Sequence, residues 1–189
     1  MKKLFEKYFT DIWTVPNVLT MLRLVLVPVF VILFAGGHDK AALIVFLVAS
    51  FTDLVDGYIA RRFNQITNFG KLMDPLADKV MVCTALICQG IAGVFPWWAI
   101  AVVILKELLM LLGGAVMLKN DVVVYSNMLG KVAQCAFIAA LVLSFFHAEF
   151  AALGVAVDTI VLYVAVALTV AAMVNYGVAA VKTLRARRS

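Results

Sequence analysis

Charge is scarce in this chain. Asp, Glu, Lys and Arg make up 14% of its 189 residues, while 65% are hydrophobic, and the mean hydropathy is +1.06. That balance excludes a soluble globular domain and implies an integral membrane protein whose helices pack against one another in lipid. Cysteine is nearly as sparse. Cys83, Cys88 and Cys135 form no CxxC pair and sit in apolar stretches, so they read as small buried hydrophobes. The two histidines, His38 and His147, fall in or beside predicted turns without metal-ligand spacing, and neither receives a role. Internal repeats and low-complexity linkers are absent, so residues 1–189 read as one domain. The net charge of +5 sits at the chain ends and in particular loops. This points to membrane topology and anionic lipid and away from nucleic acid.

The long apolar stretches predict an all-α membrane protein with six transmembrane helices, at about 16–34, 41–61, 70–91, 97–118, 127–147 and 153–181. The last is too long for a perpendicular crossing and is expected to tilt or to extend beyond the bilayer. Residues 1–14 place Leu4, Phe5, Tyr8, Phe9, Ile12 and Trp13 on one helical face opposite Lys2, Lys3, Glu6, Lys7 and Asp11. That is the pattern of an amphipathic interfacial helix. The acids ahead of the first apolar run argue for a retained span over a cleaved leader. Basic residues gather on the side shared by both termini and the 62–69 loop, leaving Lys40 alone on the other. The positive-inside rule then predicts cytoplasmic termini in a cell inner membrane.

Against this background, four acids stand out. Asp53, Asp56, Asp74 and Asp78 lie inside the second and third predicted spans, where an ionised carboxylate is costly and functional by default. Asp53 and Asp56 are three residues apart and Asp74 and Asp78 four, so each pair shares a helix face. Asp53 stands eight residues before Arg61, and Asp78 eight after Gly70. In two antiparallel helices the acids would then lie at matching depth, about 12 Å from one membrane surface. Divalent cations are the economical compensation for clustered carboxylates. The small residues Gly57 and Ala60 leave room on that face for a ligand or a close helix. In the first span Asn17, Thr20 and Arg23 form a polar stripe that resembles the wall of an anionic site, and Pro28 is expected to bend the helix. Buried salt bridges of the aspartates with Arg61, Arg62, Lys71 and Lys79 are the structural alternative, disfavoured because buried pairs seldom stabilise.

Asp53-x-x-Asp56-Gly57-x-x-Ala60-Arg61 followed by Gly70-x-x-x-Asp74-x-x-x-Asp78 resembles the two-part signature of the CDP-alcohol phosphatidyltransferases. Asn17-x-x-Thr20-x-x-Arg23, Asp74-Pro75-Leu76-Ala77-Asp78-Lys79 and Gly130-Lys131 are similar to the bacterial phosphatidylglycerophosphate synthase branch. The resemblance implies transfer of a phosphatidyl group from CDP-diacylglycerol to an alcohol, with release of CMP. It implies that Asp53, Asp56, Asp74 and Asp78 hold one or two Mg2+ or Mn2+ ions and that Asp78 serves as catalytic base. Asp53, Gly57, Ala60, Arg61, Asn17 and Thr20 would bind the CDP-lipid, and Lys131, Arg23, Lys71 and Lys106 the acceptor. A homodimer in membrane lipid is also implied.

Glycerol 3-phosphate is the first acceptor expected. The fourth span, however, has Lys106-Glu107 with no arginine after it, and Val132-Ala133 follow Lys131, so cations for a phosphorylated acceptor are fewer than the branch pattern supplies. A CDP-lipid-dependent cardiolipin synthase using phosphatidylglycerol is the alternative, and inositol phosphate a more distant acceptor. A metal-ion transporter also places acids in membrane spans, but the outer halves of the first five spans are nearly free of ionisable groups, which favours a one-sided cavity.

Overall fold

The structure is a computed structural model and describes residues 14–63, 68–119 and 128–186. The expected interfacial helix at the N-terminus therefore lies outside the described residues, apart from Thr14, as do most of the polar 63–69 loop, the 120–127 connection and the last three basic-tail positions. The described chain is all helix: α1 Val15–Ala35, α2 Asp39–Arg62, α3 Asn68–Ile91, α4 Trp97–Lys119, α5 Met128–Ser144, α6 His147–Ala152 and α7 Val157–Ala186. It divides into two compact units, Met1–Cys88 and Gln89–Ser189.

In the first unit α1 and α2 pack along each other. Pro16 enters the first turn of α1, where its missing N–H costs nothing. Pro28 sits inside α1, and the helix runs on through it to Ala35. The buried positions of α1 are Pro16, Asn17, Thr20, Arg23 and Phe30. Those of α2 include Ala42, Phe46, Ala49 and Asp56, with Asp53 continuing the same three-and-four spacing. One helix interface thus changes chemistry along its length. At one end Phe30 meets Phe46, ring centroids 6.3 Å apart; about two turns away it carries arginine against aspartate.

In the second unit α5 packs along α7, and α4 and α6 also touch α7. Ala133, Phe137, Ala140 and Leu141 of α5 and Leu162, Ala165, Val166 and Thr169 of α7 are buried, a one-sided stripe on each helix. Trp98 at the start of α4 stacks on Tyr163 of α7, with centroids 5.7 Å apart.

The core is mostly apolar but holds several polar and charged side chains, and many large apolar ones face outward. Arg23, Asn17, Thr20, Asp56 and Asp158 are inside, while Val25, Ile32, Phe51, Ile91, Leu153 and Val174 face outward. Apolar side chains facing out and polar ones facing in are what helices adopt when their solvent is lipid. Val15–Ala35 and Val157–Val178 are long and apolar enough to cross a membrane by length and composition, with mean hydropathies of 2.6 and 2.2. The chain is a membrane protein.

The largest departure from the expected helices comes near the C-terminal third. The fifth predicted span, to 147, ends at Ser144, and the sixth begins at Val157 in place of 153. Between them the short α6 closes at Gly154, whose φ of +69° is the left-handed conformation that favours glycine. Val155 N–H then donates to Phe150 O over 3.1 Å. The sequence predicts a break at 148–152; the structure widens that break and fills it with a short helix. Of the cysteines only Cys88 is buried, and Cys135 faces outward on α5.

Candidate active site

The site starts on α1. Asn17, Thr20 and Arg23 recur every three residues, so they fall on one face, and that face is the buried one. Across from it α2 presents Asp53 and Asp56. Arg23 Nη2 donates to Asp56 Oδ2 over 2.5 Å, and Nη1 lies 2.8 Å from Asp53 Oδ1. Arg23 is only 1% exposed, so the guanidinium bridges the two carboxylates out of solvent. Its planar fork is what permits one side chain to reach both.

Thr20 brings in a third carboxylate from α3. Its hydroxyl reaches Asp74 Oδ1 over 2.5 Å and the Pro16 carbonyl over 3.1 Å. The hydroxyl has one proton to donate, and the shorter, charge-assisted contact takes it. Asp56 lies within electrostatic range of Arg23, Asp53 and Asp74, and Asp74 within range of Arg23 and Asp53. Three carboxylates from two helices thus surround one guanidinium from a third, and within that group two negative charges are unbalanced.

The donors are hard carboxylate oxygens, the ligand type of Mg2+ and Mn2+. A divalent ion would balance the remaining charge, and Asp53, the more exposed of the pair, offers it access. In chemistry the residues fit such an ion. In arrangement they differ from the expected cage of four. Among the described residues no three His, Cys, Asp or Glu side chains stand as a formed ligand set, and the Asp53 and Asp56 oxygens are directed at Arg23. Asp78 stands one turn beyond Asp74 on α3, half-buried and engaged in an interaction of its own. Gly57, Ala60 and Arg61 lie on α2 and Lys71 on α3, but their side chains lie outside the described residues.

Lys106 and Lys131 belong to the second unit. Lys106 Nζ donates to Glu107 Oε1 over 2.5 Å and reaches Gln134 Oε1 at 3.5 Å. Lys131 is exposed in the first turn of α5. Two features escaped the sequence reading. One is that Arg23 and Thr20 engage the aspartates directly; the matching three-residue periods of 17–20–23 and 53–56 carried that signal. The other is His147, whose Nδ1 lies 2.6 Å from Oδ2 of the fully buried Asp158. A carboxylate in an apolar helix start, eleven residues after a lone histidine, was its only trace.

Residues 13–171, which include every residue assembled above, match the family model described as CDP-alcohol phosphatidyltransferase. The chain belongs to this family. Among its relatives is a CDP-diacylglycerol–glycerol-3-phosphate 3-phosphatidyltransferase of Bacillus subtilis, 38% identical over 149 residues that cover 69% of this chain and 77% of that protein. A probable phosphatidylglycerophosphate synthase of Mycobacterium tuberculosis is 43% identical over 98 residues, 49% of this chain and 47% of the relative. A putative cardiolipin synthase of the same species is 37% identical over 98 residues, 51% of this chain and 47% of the relative.

Proposed function

We propose that the protein transfers the phosphatidyl group of CDP-diacylglycerol to glycerol 3-phosphate, releasing CMP and forming phosphatidylglycerophosphate. The observation that carries this reading is the group of Arg23, Asp53, Asp56 and Asp74, with Arg23 and Asp56 buried, in a chain similar over most of its length to the Bacillus subtilis enzyme. The acceptor hydroxyl oxygen forms a new bond to the phosphatidyl phosphorus. The bond from that phosphorus to the bridging oxygen breaks, and CMP leaves with the electron pair. Asp53, Asp56, Asp74 and Asp78 hold one or two Mg2+ or Mn2+ ions, which supply charge neutralisation and polarisation at the phosphoryl centre. Asp78 takes the hydroxyl proton. Asn17, Thr20, Asp53, Gly57, Ala60 and Arg61 bind the CDP headgroup, where small residues admit the nucleotide and arginine meets phosphate. Lys71, Lys106 and Lys131 supply cationic charge for the acceptor phosphate, and Arg23 adds its own to the phosphates of donor and acceptor alike.

The same reading places six helices across the inner membrane as one domain, with both termini and the site on the cytoplasmic side, and a homodimer as the working form. A second reading has one observation behind it. Lys106 is paired with Glu107, which lowers the positive charge on offer to a phosphorylated acceptor and favours phosphatidylglycerol, the acceptor of a cardiolipin synthase. An acceptor panel decides. Purified protein is given CDP-diacylglycerol and Mg2+ or Mn2+ with glycerol 3-phosphate, phosphatidylglycerol or inositol phosphate in turn, and CMP release is measured. Release with glycerol 3-phosphate alone is expected. Release with phosphatidylglycerol alone would replace the first reading by the second, and Mn2+ uptake into liposomes without CMP release would replace both by a transporter.

A further inference from the structure

The placement of Arg23 bears on how a cation enters this site. Its Nη2 donates to Asp56 Oδ2, and its Nη1 lies 2.8 Å from Asp53 Oδ1 as an ion pair without the alignment of a hydrogen bond; a divalent ion would also need both oxygens. Its third nitrogen, Nε, is buried and makes no hydrogen bond. A buried guanidinium N–H without an acceptor is costly, and the Nε–Nη edge is the one that grips a phosphate in bidentate fashion. The side chain is therefore held by carboxylates on one side and presents an unused donor on the other.

We infer that Arg23 is a resident counter-ion that competes with the divalent cation for Asp53 and Asp56, and that a phosphate of the CDP-lipid draws its guanidinium away. The inference rests on the proposed role of these aspartates as ligands. Its consequence is linked binding. The cation is held weakly by the protein alone, because a positive charge already sits on the same oxygens. It is held firmly once a pyrophosphate has arrived to accept Arg23 and to add negative charge. Such coupling is reciprocal, so the cation tightens the nucleotide by the same factor.

The test is Mn2+ binding by the purified full chain in detergent micelles, read as the electron paramagnetic resonance signal of free Mn2+, with and without CDP. Arg23→Gln should bind Mn2+ alone about tenfold more tightly than the unaltered protein, since a like charge within a few ångströms is removed. CDP should then strengthen Mn2+ binding less in this variant than in the unaltered protein. Arg23→Lys keeps the charge but not the fork that bridges two carboxylates, so its Mn2+ affinity should fall between the other two. Unchanged or weaker Mn2+ binding by Arg23→Gln overturns the inference. Should Arg23→Gln not fold, Arg23→Lys carries the test, and an affinity no higher than that of the unaltered protein overturns it. Asp56→Asn separates the two levels. If it loses Mn2+ while the Arg23 variants leave affinity unchanged, only the role of Arg23 falls. If it binds Mn2+ as the unaltered protein does, the ligand assignment falls.

Discussion

Single side chains in this protein are held by partners on other helices, and that makes their substitutions informative. Thr20 fixes one oxygen of Asp74. Thr20→Val keeps the shape and removes the donor, a loss of about 1 kcal/mol for a hydrogen bond to a neutral partner and somewhat more to a carboxylate. Turnover should fall about tenfold, with Thr20→Ser close to the original. Equal loss in both would show that the methyl group matters and the hydroxyl does not. Asp78→Asn should lower CMP release by about 10²–10⁴-fold, the usual contribution of a general base, while the variant still elutes as a monodisperse species in detergent. Near-normal turnover would remove Asp78 as the base. The two residues differ in how readable they were. Asp78 stood out because a carboxylate in an apolar run is rare; Thr20 stood out only as one of a polar stripe, and its partner Asp74 is seen in the structure alone.

At the scale of the element, the stripe on α1 and the acids on α2 were legible because helical period alone decides which residues share a face. The corner formed by α5, α6 and α7 was legible only in part. The sequence predicts a break at 148–152, but its extent is set by backbone geometry at Gly154 and by a pair eleven residues apart in sequence, His147 with Asp158. That pair has its own consequence. Asp158 is fully buried, and its Oδ1 makes no hydrogen bond, so His147 is the partner that holds its other oxygen. His147→Ala should lower the thermal unfolding midpoint in detergent by several degrees, because a buried carboxylate is left without compensation. Adding Asp158→Asn to that variant should recover part of the loss. No recovery would mean that the histidine acts through packing alone.

For the molecule as a whole, the scarcity of charge forced the membrane reading, and the outward-facing apolar side chains agree with it. Among the described residues two helices satisfy the length and composition of a span without help. α2 and α3 carry the acids that make the site, and those same acids lower their apparent fitness to cross lipid. Whole-protein behaviour should follow the carboxylates. Treatment with a chelator should abolish CMP release, and added Mg2+ or Mn2+ should restore it, because the negative charge left unbalanced near Arg23 must be compensated by a cation when an anionic pyrophosphate binds. Turnover that persists in chelator would end the metal assignment.

The order of residues along the chain was enough to determine the helical class and the lipid environment, which follow from composition and a period of 3.6, and the family, which its two-part motif carried. Only tertiary structure decided what the acids touch. Arg23 lies 30 residues before Asp53, and Thr20 lies 54 before Asp74. No local rule joins positions that far apart. They meet because α1 must bury its one polar face, and in a lipid-facing chain the interior beside α2 and α3 is where such a face finds partners.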